Sequence, residues 1–176
     1  MRFYLVGMPG CGKSTFGKRL SSITGYNLID LDMEIIRYTG KSIDKIFTED
    51  GEDYFREIET SLLKKLSISK ENFIMATGGG VPCFFDNMEF MNNHGITLYI
   101  KTSPEDLEER LSQKGLQKRP LLSHLDENSL LVALREKLDS RAPYYEKSRY
   151  TFLYHNNMDQ DIGPLMKKLI LEKESD

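Results

Sequence analysis

The segment from Gly7 to Ser14 reads Gly-Met-Pro-Gly-Cys-Gly-Lys-Ser and fits the pattern G-x-x-x-x-G-K-[ST]. An apolar run, Arg2–Val6, precedes it and an amphipathic segment, Lys13–Thr24, follows it. Glycines let the backbone N–H groups of such a turn surround an anion, and the positive end of the helix dipole points to the same place. The motif therefore predicts a strand–turn–helix unit that binds the phosphates of a nucleotide.

The residues of this turn have different predicted roles in phosphate binding. Lys13 supplies a mobile positive charge to the outer phosphates, and the hydroxyl of Ser14 is suited to Mg²⁺. The predicted ATP-binding positions in the turn are Gly10, Cys11, Gly12, Lys13, Ser14 and Thr15. The motif leaves the phosphoryl acceptor open. The sequence has neither the D-x-x-G nor the N-K-x-D segment that a switch GTPase needs.

Short apolar runs alternate with longer amphipathic segments along the chain, which predicts βαβ units and a parallel sheet. The 176 residues are the length of about one domain, so we expect a single domain over 1–176 with a three-layer α/β sandwich. The predicted strands are 2–6, 27–30, 73–77, 97–101 and 151–154. The predicted helices are 13–24, 32–38, 43–50, 51–67, 84–94, 104–113, 127–146 and 159–173.

The composition excludes several classes of partner. Lys and Arg number 24 against 27 Asp and Glu, so the net charge is −3. Binding to nucleic acid or to an anionic membrane rests on a basic surface, so neither is expected as the main activity. Cys11 and Cys83 have no metal-like spacing and are expected to be reduced. The first apolar run is too short for the hydrophobic region of a signal peptide. We expect a cytoplasmic monomer.

Two carboxylates follow the predicted second strand. In Asp30-Leu31-Asp32 the two aspartates are spaced i, i+2, so a strand would point both into the crevice at its carboxyl end. One could hold Mg²⁺ through water while the other orients or deprotonates an acceptor hydroxyl. Alternatively, one of them only caps the next helix.

Two further motifs predict an acceptor pocket. Arg56 and Glu59 are spaced i, i+3 in the predicted helix 51–67, which indicates either an ordinary surface pair or an arginine aimed at an anionic substrate. Gly78, Gly79 and Gly80 directly follow the third predicted strand. Three successive glycines cost conformational entropy, which favours a role in the close approach of a ligand to the backbone.

Two arginines in the second half of the chain are also candidates. Arg119 precedes a proline in the segment 114–126, which has little periodicity and is predicted to be a mobile loop. An arginine on a closing loop can neutralise the transferring phosphoryl group, although it could also belong to a solvated charge cluster. Arg141 lies near the end of the predicted helix 127–146, where interaction with the helix dipole is the alternative to ligand binding.

Taken in order, these motifs resemble those of the shikimate kinases. The resemblance extends from Gly7 to about Glu146 and includes the phosphate loop at 7–15. The other motifs are Asp30-x-Asp32, Phe55-Arg56-x-x-Glu59, the glycines at 78–80, Arg119-Pro-Leu-Leu and Arg141-x-Pro-x-Tyr145. Each of these is weak by itself, but six in this order are specific. The resemblance implies a P-loop fold of the nucleoside-monophosphate-kinase type with a mobile lid, and ATP-dependent phosphorylation of the 3-hydroxyl of shikimate.

The resemblance also implies roles for single residues. Lys13, Asp32 and Arg119 would act in catalysis, with Asp32 at the acceptor hydroxyls. Ser14 would bind Mg²⁺, with Asp30 acting through water. Shikimate would contact Asp32, Arg56, Gly78, Gly79, Gly80 and Arg141. Arg110 would lie near adenine, while the segment 154–159 shows no motif from which to assign an adenine contact.

The resemblance places the acceptor-binding region at about 32–66 and the lid at about 112–126. Two other functions remain open from the residues alone. One is a kinase for another small acceptor, such as gluconate or a nucleoside monophosphate. The other is a nucleotide-dependent switch without acceptor chemistry. A monophosphate acceptor would need arginines spaced to clamp a phosphate, and it leaves the two aspartates without an evident role.

Overall fold

The computed structural model describes residues 1–68, 71–114, 127–154 and 162–165. The strands are β1 (Arg2–Val6), β2 (Asn27–Asp30), β3 (Phe73–Ala76), β4 (Ile96–Lys101) and β5 (Tyr150–Leu153). The helices are α1 (Lys13–Thr24), α2 (Leu31–Thr39), α3 (Ile43–Glu49), α4 (Gly51–Ser67), α5 (Asn87–His94), α6 (Pro104–Lys114) and α7 (Glu127–Tyr145). A 3₁₀ turn spans Val81–Cys83. Of the predicted closing helix 159–173, residues 162–165 are described and helical.

The five strands form one parallel sheet in the order β2-β3-β1-β4-β5. Every residue of β3 and all but the first residue of β1 are buried, so helices cover both faces of the sheet. α1 packs against β1, β2 and β3, whereas α5 packs against β4. The predicted α/β class with a five-stranded parallel sheet is confirmed. No helix in the described part of the chain has the length and apolarity needed to span a bilayer.

The central position of β1 brings three chain segments to one edge of the sheet. The phosphate loop follows β1, α2 follows β2, and the triple glycine follows β3, so all three lie where the carboxyl ends of neighbouring strands meet. Thr77 fixes the last of these segments to β1, because its backbone N–H and its Oγ1 both donate to the carbonyl of Leu5, at 3.2 and 2.9 Å. The sheet thereby places the acceptor motifs beside the phosphate loop.

The predicted strand geometry of the two aspartates is wrong. β2 ends at Asp30, and Asp32 lies in the first turn of α2. Asp30 caps this helix, since its Oδ1 accepts a hydrogen bond from the N–H of Met33 at 3.3 Å. An aspartate at this position satisfies an otherwise unpaired N–H, which favours a helix that starts at Leu31.

The helix predicted over 84–94 is also shorter than expected. Phe85 and Asp86 have φ angles of 48° and 56°, in the left-handed region that interrupts a right-handed helix. α5 therefore begins only at Asn87. The 3₁₀ turn and these two residues carry the chain from the triple glycine to α5, and they place Phe84 beside the site described next.

Candidate active site

A cavity of about 620 Å³ lies at the carboxyl ends of β1, β2 and β3. The phosphate loop, the triple glycine and helices α2, α3, α4 and α7 all contribute to its lining. Sequence-predicted residues that line it are Gly10, Gly12, Lys13, Ser14, Thr15, Asp30, Asp32, Arg56, Gly78, Gly79, Gly80 and Arg141. Residues predicted from five separate motifs are thus brought together around one space.

Two of the predicted residues are described but do not line the cavity, and a third lies outside the described residues. Cys11 is fully buried within the phosphate loop. Arg110 lies on α6, apart from the cavity lining. Arg119 lies outside the described residues, as does most of the predicted lid. Residues 112–114, at the start of the lid predicted at about 112–126, form the end of α6.

The phosphate loop holds Lys13 by backbone contacts. The Nζ of Lys13 donates to the carbonyls of Gly7 and Met8 at 2.8 and 2.9 Å, so the ammonium group lies against the loop. Gly12, at the start of α1, has a φ of 102°, and a Cβ there would lie 2.8 Å from the ring of Tyr154. Conformation and packing both require glycine at that position. The Lys13 contacts and the conformation of Gly12 thus define the shape of the loop.

Ser14 and Asp30 form a second polar pair at the cavity. The Oγ of Ser14 donates to the Oδ2 of Asp30 at 3.2 Å, while the other carboxylate oxygen of Asp30 caps α2. Asp30 therefore faces the loop as well as capping a helix. In proteins Mg²⁺ takes oxygen ligands, commonly one or two carboxylates with waters and substrate phosphates. The described residues contain no group of three or more His, Cys, Asp or Glu arranged to hold a metal. The Ser14 hydroxyl and the Asp30 carboxylate are oxygen donors of the kind that Mg²⁺ takes together with waters and a phosphate.

Arg56 on α4 is held by two carboxylates and several rings. Its Nη1 donates to Oε2 of Glu59 at 2.8 Å, and its Nη2 and Nε donate to Oε1 of Glu52 at 2.9 and 3.2 Å. Only 7% of Arg56 is exposed, so the surface-pair interpretation is wrong. Three aromatic rings surround its guanidinium carbon. Their centres lie at 4.3 Å for Phe84, 5.0 Å for Phe55 and 6.0 Å for Phe47.

Glu59 is the most deeply buried carboxylate of the site. It is 1% exposed, and burial raises its pKa to about 7 although the positive charge of Arg56 lowers it. Asp32 raises this pKa further and Arg141 opposes the shift. A Cβ on Gly78 would lie 2.7 Å from Oε1 of Glu59 and 3.0 Å from Oδ1 of Asp32. Both carboxylates therefore pack directly against the first glycine of the triplet.

The other two glycines of the triplet lie between the phosphate loop and Arg56. A Cβ on Gly79 would lie 2.6 Å from Cδ of Pro9, and a Cβ on Gly80 would lie 2.5 Å from Nη1 of Arg56. The hydroxyl of Tyr145, at the end of α7, donates to the carbonyl of Gly79 at 2.6 Å. Close approach of these protein groups already requires the glycines, and the approach of a ligand stays a prediction.

Arg110 contacts an aromatic ring that packs against the phosphate loop. Its guanidinium carbon lies 3.7 Å from the centre of the Tyr154 ring, the same ring that packs against Gly12. One Nη of Arg110 is buried and makes no hydrogen bond with the described parts of the chain. Tyr154 was missed because no local pattern distinguished it, and residues 155–159 lie outside the described residues.

Lys137 is a further cavity residue that the sequence reasoning missed. It lies on α7 one helical turn before Arg141, and this i, i+4 spacing is the signal that could have indicated it. Lys137 is half-buried, and burial together with the positive charges of Arg141 and Arg56 lowers its pKa. Phe47 and Phe55, which also line the cavity, were likewise not predicted as site residues.

Comparison with known proteins agrees with this geometry. The family model described as shikimate kinase matches residues 9–170. The chain is 44% identical to the shikimate kinase of Parabacteroides distasonis over 151 residues, which are 86% of each chain. A bifunctional shikimate kinase/3-dehydroquinate synthase of Thermotoga maritima is 43% identical over 149 residues, which cover 85% of this chain and 28% of that protein.

Solved structures give the same result. Shikimate kinase from Bacteroides thetaiotaomicron has a TM-score of 0.89 at 35% identity and covers 96% of this chain and 98% of its own. Shikimate kinase from Acinetobacter baumannii, solved in complex with shikimate, has a TM-score of 0.85 at 35% identity. The match covers 98% of this chain and 93% of that one. A deoxyadenosine kinase from M. mycoides shares the fold at 18% identity, with a TM-score of 0.64. On these findings the chain belongs to the shikimate kinase family.

Proposed function

We propose that this chain transfers a phosphoryl group from ATP to the 3-hydroxyl of shikimate, on the route to chorismate and the aromatic amino acids. Membership of the shikimate kinase family supports this reaction. The observation that carries it in the structure is a single cavity with the phosphate loop on one side and Arg56, Asp32 and Arg141 on the other. Such a cavity can hold a nucleotide phosphate beside a small acceptor that bears both hydroxyl and carboxylate groups.

On the donor side, the loop N–H groups and Lys13 bind the phosphates of ATP. Ser14 and Asp30 hold Mg²⁺, with Asp30 acting through water. When bound, the metal neutralises charge on the phosphate oxygens. Lys13 adds a cation that the loop carbonyls already orient. Arg119, outside the described residues, is proposed as a further cation at the phosphoryl group, and Arg110 as a contact near adenine.

On the acceptor side, Arg56 and Arg141 bind the shikimate carboxylate. A guanidinium has five N–H donors, and Glu52 and Glu59 take three of those on Arg56. One N–H remains on each of Nη1 and Nη2, which suits a carboxylate that needs two parallel donors. The enclosing rings keep water from the guanidinium and strengthen this pair.

Asp32 then orients or deprotonates the acceptor hydroxyl. Its Oδ1 lies beside Gly78, and the Ser14–Asp30 pair lines the same cavity. Phosphoryl transfer requires little covalent chemistry from the protein, so positioning and charge neutralisation supply most of the rate. We place the acceptor-binding region at about 32–66 and further propose that the protein acts as a monomer in the cytoplasm.

ADP release from ATP·Mg²⁺ over a panel of acceptors tests the proposal. We expect rapid release with shikimate and a low background with gluconate, AMP or no acceptor. Equal rates with gluconate or AMP would favour a kinase of different specificity. Release that is independent of any acceptor would favour a nucleotide switch. Omission of Mg²⁺ serves as the control for the proposed metal requirement.

A further inference from the structure

Three cations from two helices line one part of the cavity. Lys137 and Arg141 lie one turn apart on the same face of α7, and Arg56 projects from α4. Like charges at i, i+4 destabilise a helix, and a half-buried ammonium is costly unless it is compensated. The arrangement therefore calls for an anion between α4 and α7.

The described carboxylates do not supply that anion to Lys137. Lys137 makes no salt bridge with a carboxylate in the described ranges. Glu52 attracts it electrostatically, but Oε1 of Glu52 already accepts two hydrogen bonds from Arg56. Glu59, a second carboxylate near these cations, is paired with Nη1 of Arg56. The cavity itself is the remaining place where a compensating anion can bind.

We propose that Lys137 is a third cationic residue of the acceptor site and that it binds the acceptor carboxylate together with Arg56 and Arg141. This inference rests on the proposed function and adds a specificity determinant to it. A carboxylate offers about four lone-pair sites on its two oxygens, so it can accept from more than one guanidinium. Lysine contributes a compact point charge with three rotatable donors, which favours a free acid over its neutral ester.

The test compares Lys137→Met with wild type on two acceptors, shikimate and its methyl ester. We expect the KM for shikimate to rise about tenfold, as for loss of one charge-assisted hydrogen bond. The KM for the ester, the KM for ATP and kcat should each stay within about twofold. Lys137→Arg should restore most of the preference for the acid. Lys65→Met, an exposed lysine on α4, is the matched control and should match wild type.

The outcomes separate the two proposals. An equal rise in KM for acid and ester would mean that Lys137 acts through packing, and an unchanged KM for both would mean that its charge is not used. Either result overturns the assignment while leaving shikimate phosphorylation intact. Wild-type protein without shikimate-dependent ADP release would overturn the proposed function itself. Thermal melting checks that each variant is folded, and Lys137→Gln replaces the methionine variant if that one is not.

Discussion

The two sides of the cavity are built in different ways. The phosphate side comes from one short stretch of chain, and its lysine is held by the carbonyls of Gly7 and Met8. The acceptor side comes from segments far apart in the sequence, and its central group, Arg56, is held by the side chains of Glu52 and Glu59. Backbone dipoles fix the phosphate side, whereas side-chain ion pairs, one of them buried, fix the acceptor side.

This difference has consequences for chemistry and for specificity. Backbone groups do not titrate, so a loop built from them presents the same donors at any pH. The buried carboxylate of Glu59 instead has a raised pKa, which depends on the groups that pack around it. We therefore expect the phosphate side to tolerate changes in the acceptor side, and substitutions on the two sides to affect different kinetic constants.

The largest expected effect is on the phosphate side. Lys13→Met removes the cation that the loop orients, and kcat should fall on the order of a thousandfold. The affinity for shikimate, measured by titration calorimetry, should change less than about twofold because Arg56 and Arg141 remain. Lys18→Met, an exposed lysine on the same helix, is the control. A parallel loss of shikimate affinity would show that the two sides are not separable.

The next largest effect concerns Glu59 and pH. The folded protein holds the Glu59 proton up to a pKa of about 7, above the ordinary value of 4.5, so it binds more protons than the unfolded chain between these values. The free energy of unfolding therefore falls as pH rises through this window, by up to about 3 kcal/mol from this group.

Denaturant unfolding at several pH values measures this slope. Glu59→Gln should flatten it between about pH 4.5 and 7, whereas Glu57→Gln, an exposed neighbour on α4, should keep the wild-type slope. Identical slopes for wild type and Glu59→Gln would mean that the buried carboxylate is ionised throughout, and that Arg56 compensates it fully.

The same contrast explains what the sequence could predict. The phosphate loop is a local pattern, so the roles of Gly12 and Lys13 follow from neighbouring residues alone. The pairing of Arg56 with Glu59 is also local. The burial of Arg56 is not local, because the rings of Phe84 and Phe47 come from other segments of the chain. Only the folded sheet brings these segments together.

The errors arose where two local rules competed. Asp30 and Asp32 fitted a strand by spacing, but the capping of α2 by Asp30 was the stronger local preference. The sequence shows that Lys137 lies one helical turn from Arg141, but it does not show which way that helix face points. The orientation depends on long-range packing, including the Tyr145–Gly79 hydrogen bond. Tyr154 has no sequence signal, since its contact with Gly12 exists only after β5 has joined the sheet.

A third prediction isolates the acceptor side. Arg141→Ala should raise the KM for shikimate about thirtyfold, in the range for loss of a charge-assisted contact to a carboxylate. The KM for ATP should stay within about twofold, because the loop and the contacts that hold Lys13 are unchanged. Steady-state kinetics with each substrate varied in turn measures both. Equal effects on the two constants would contradict the proposed carboxylate site.

The smallest effects locate the boundary between the two sides. Gly80 has a φ of −88° and can take alanine without backbone strain, but the new Cβ would lie 2.5 Å from Nη1 of Arg56. Gly80→Ala should therefore raise the KM for shikimate about fivefold, as expected when a positioned group is displaced slightly. Gly79→Ala would instead place its Cβ 2.6 Å from Pro9, so it should raise mainly the KM for ATP.

Gly163→Ala is the control for both variants, because no atom of the described ranges lies within 4 Å of a Cβ placed there. If each variant affects its own substrate, the boundary between phosphate and acceptor sides runs between two adjacent residues. If both raise the two KM values together, the triple glycine moves as one unit and the sides are coupled through it. The first result is expected, because the tightest contact at Gly79 is with the phosphate loop, whereas at Gly80 it is with an arginine that α4 and its own carboxylates hold in place.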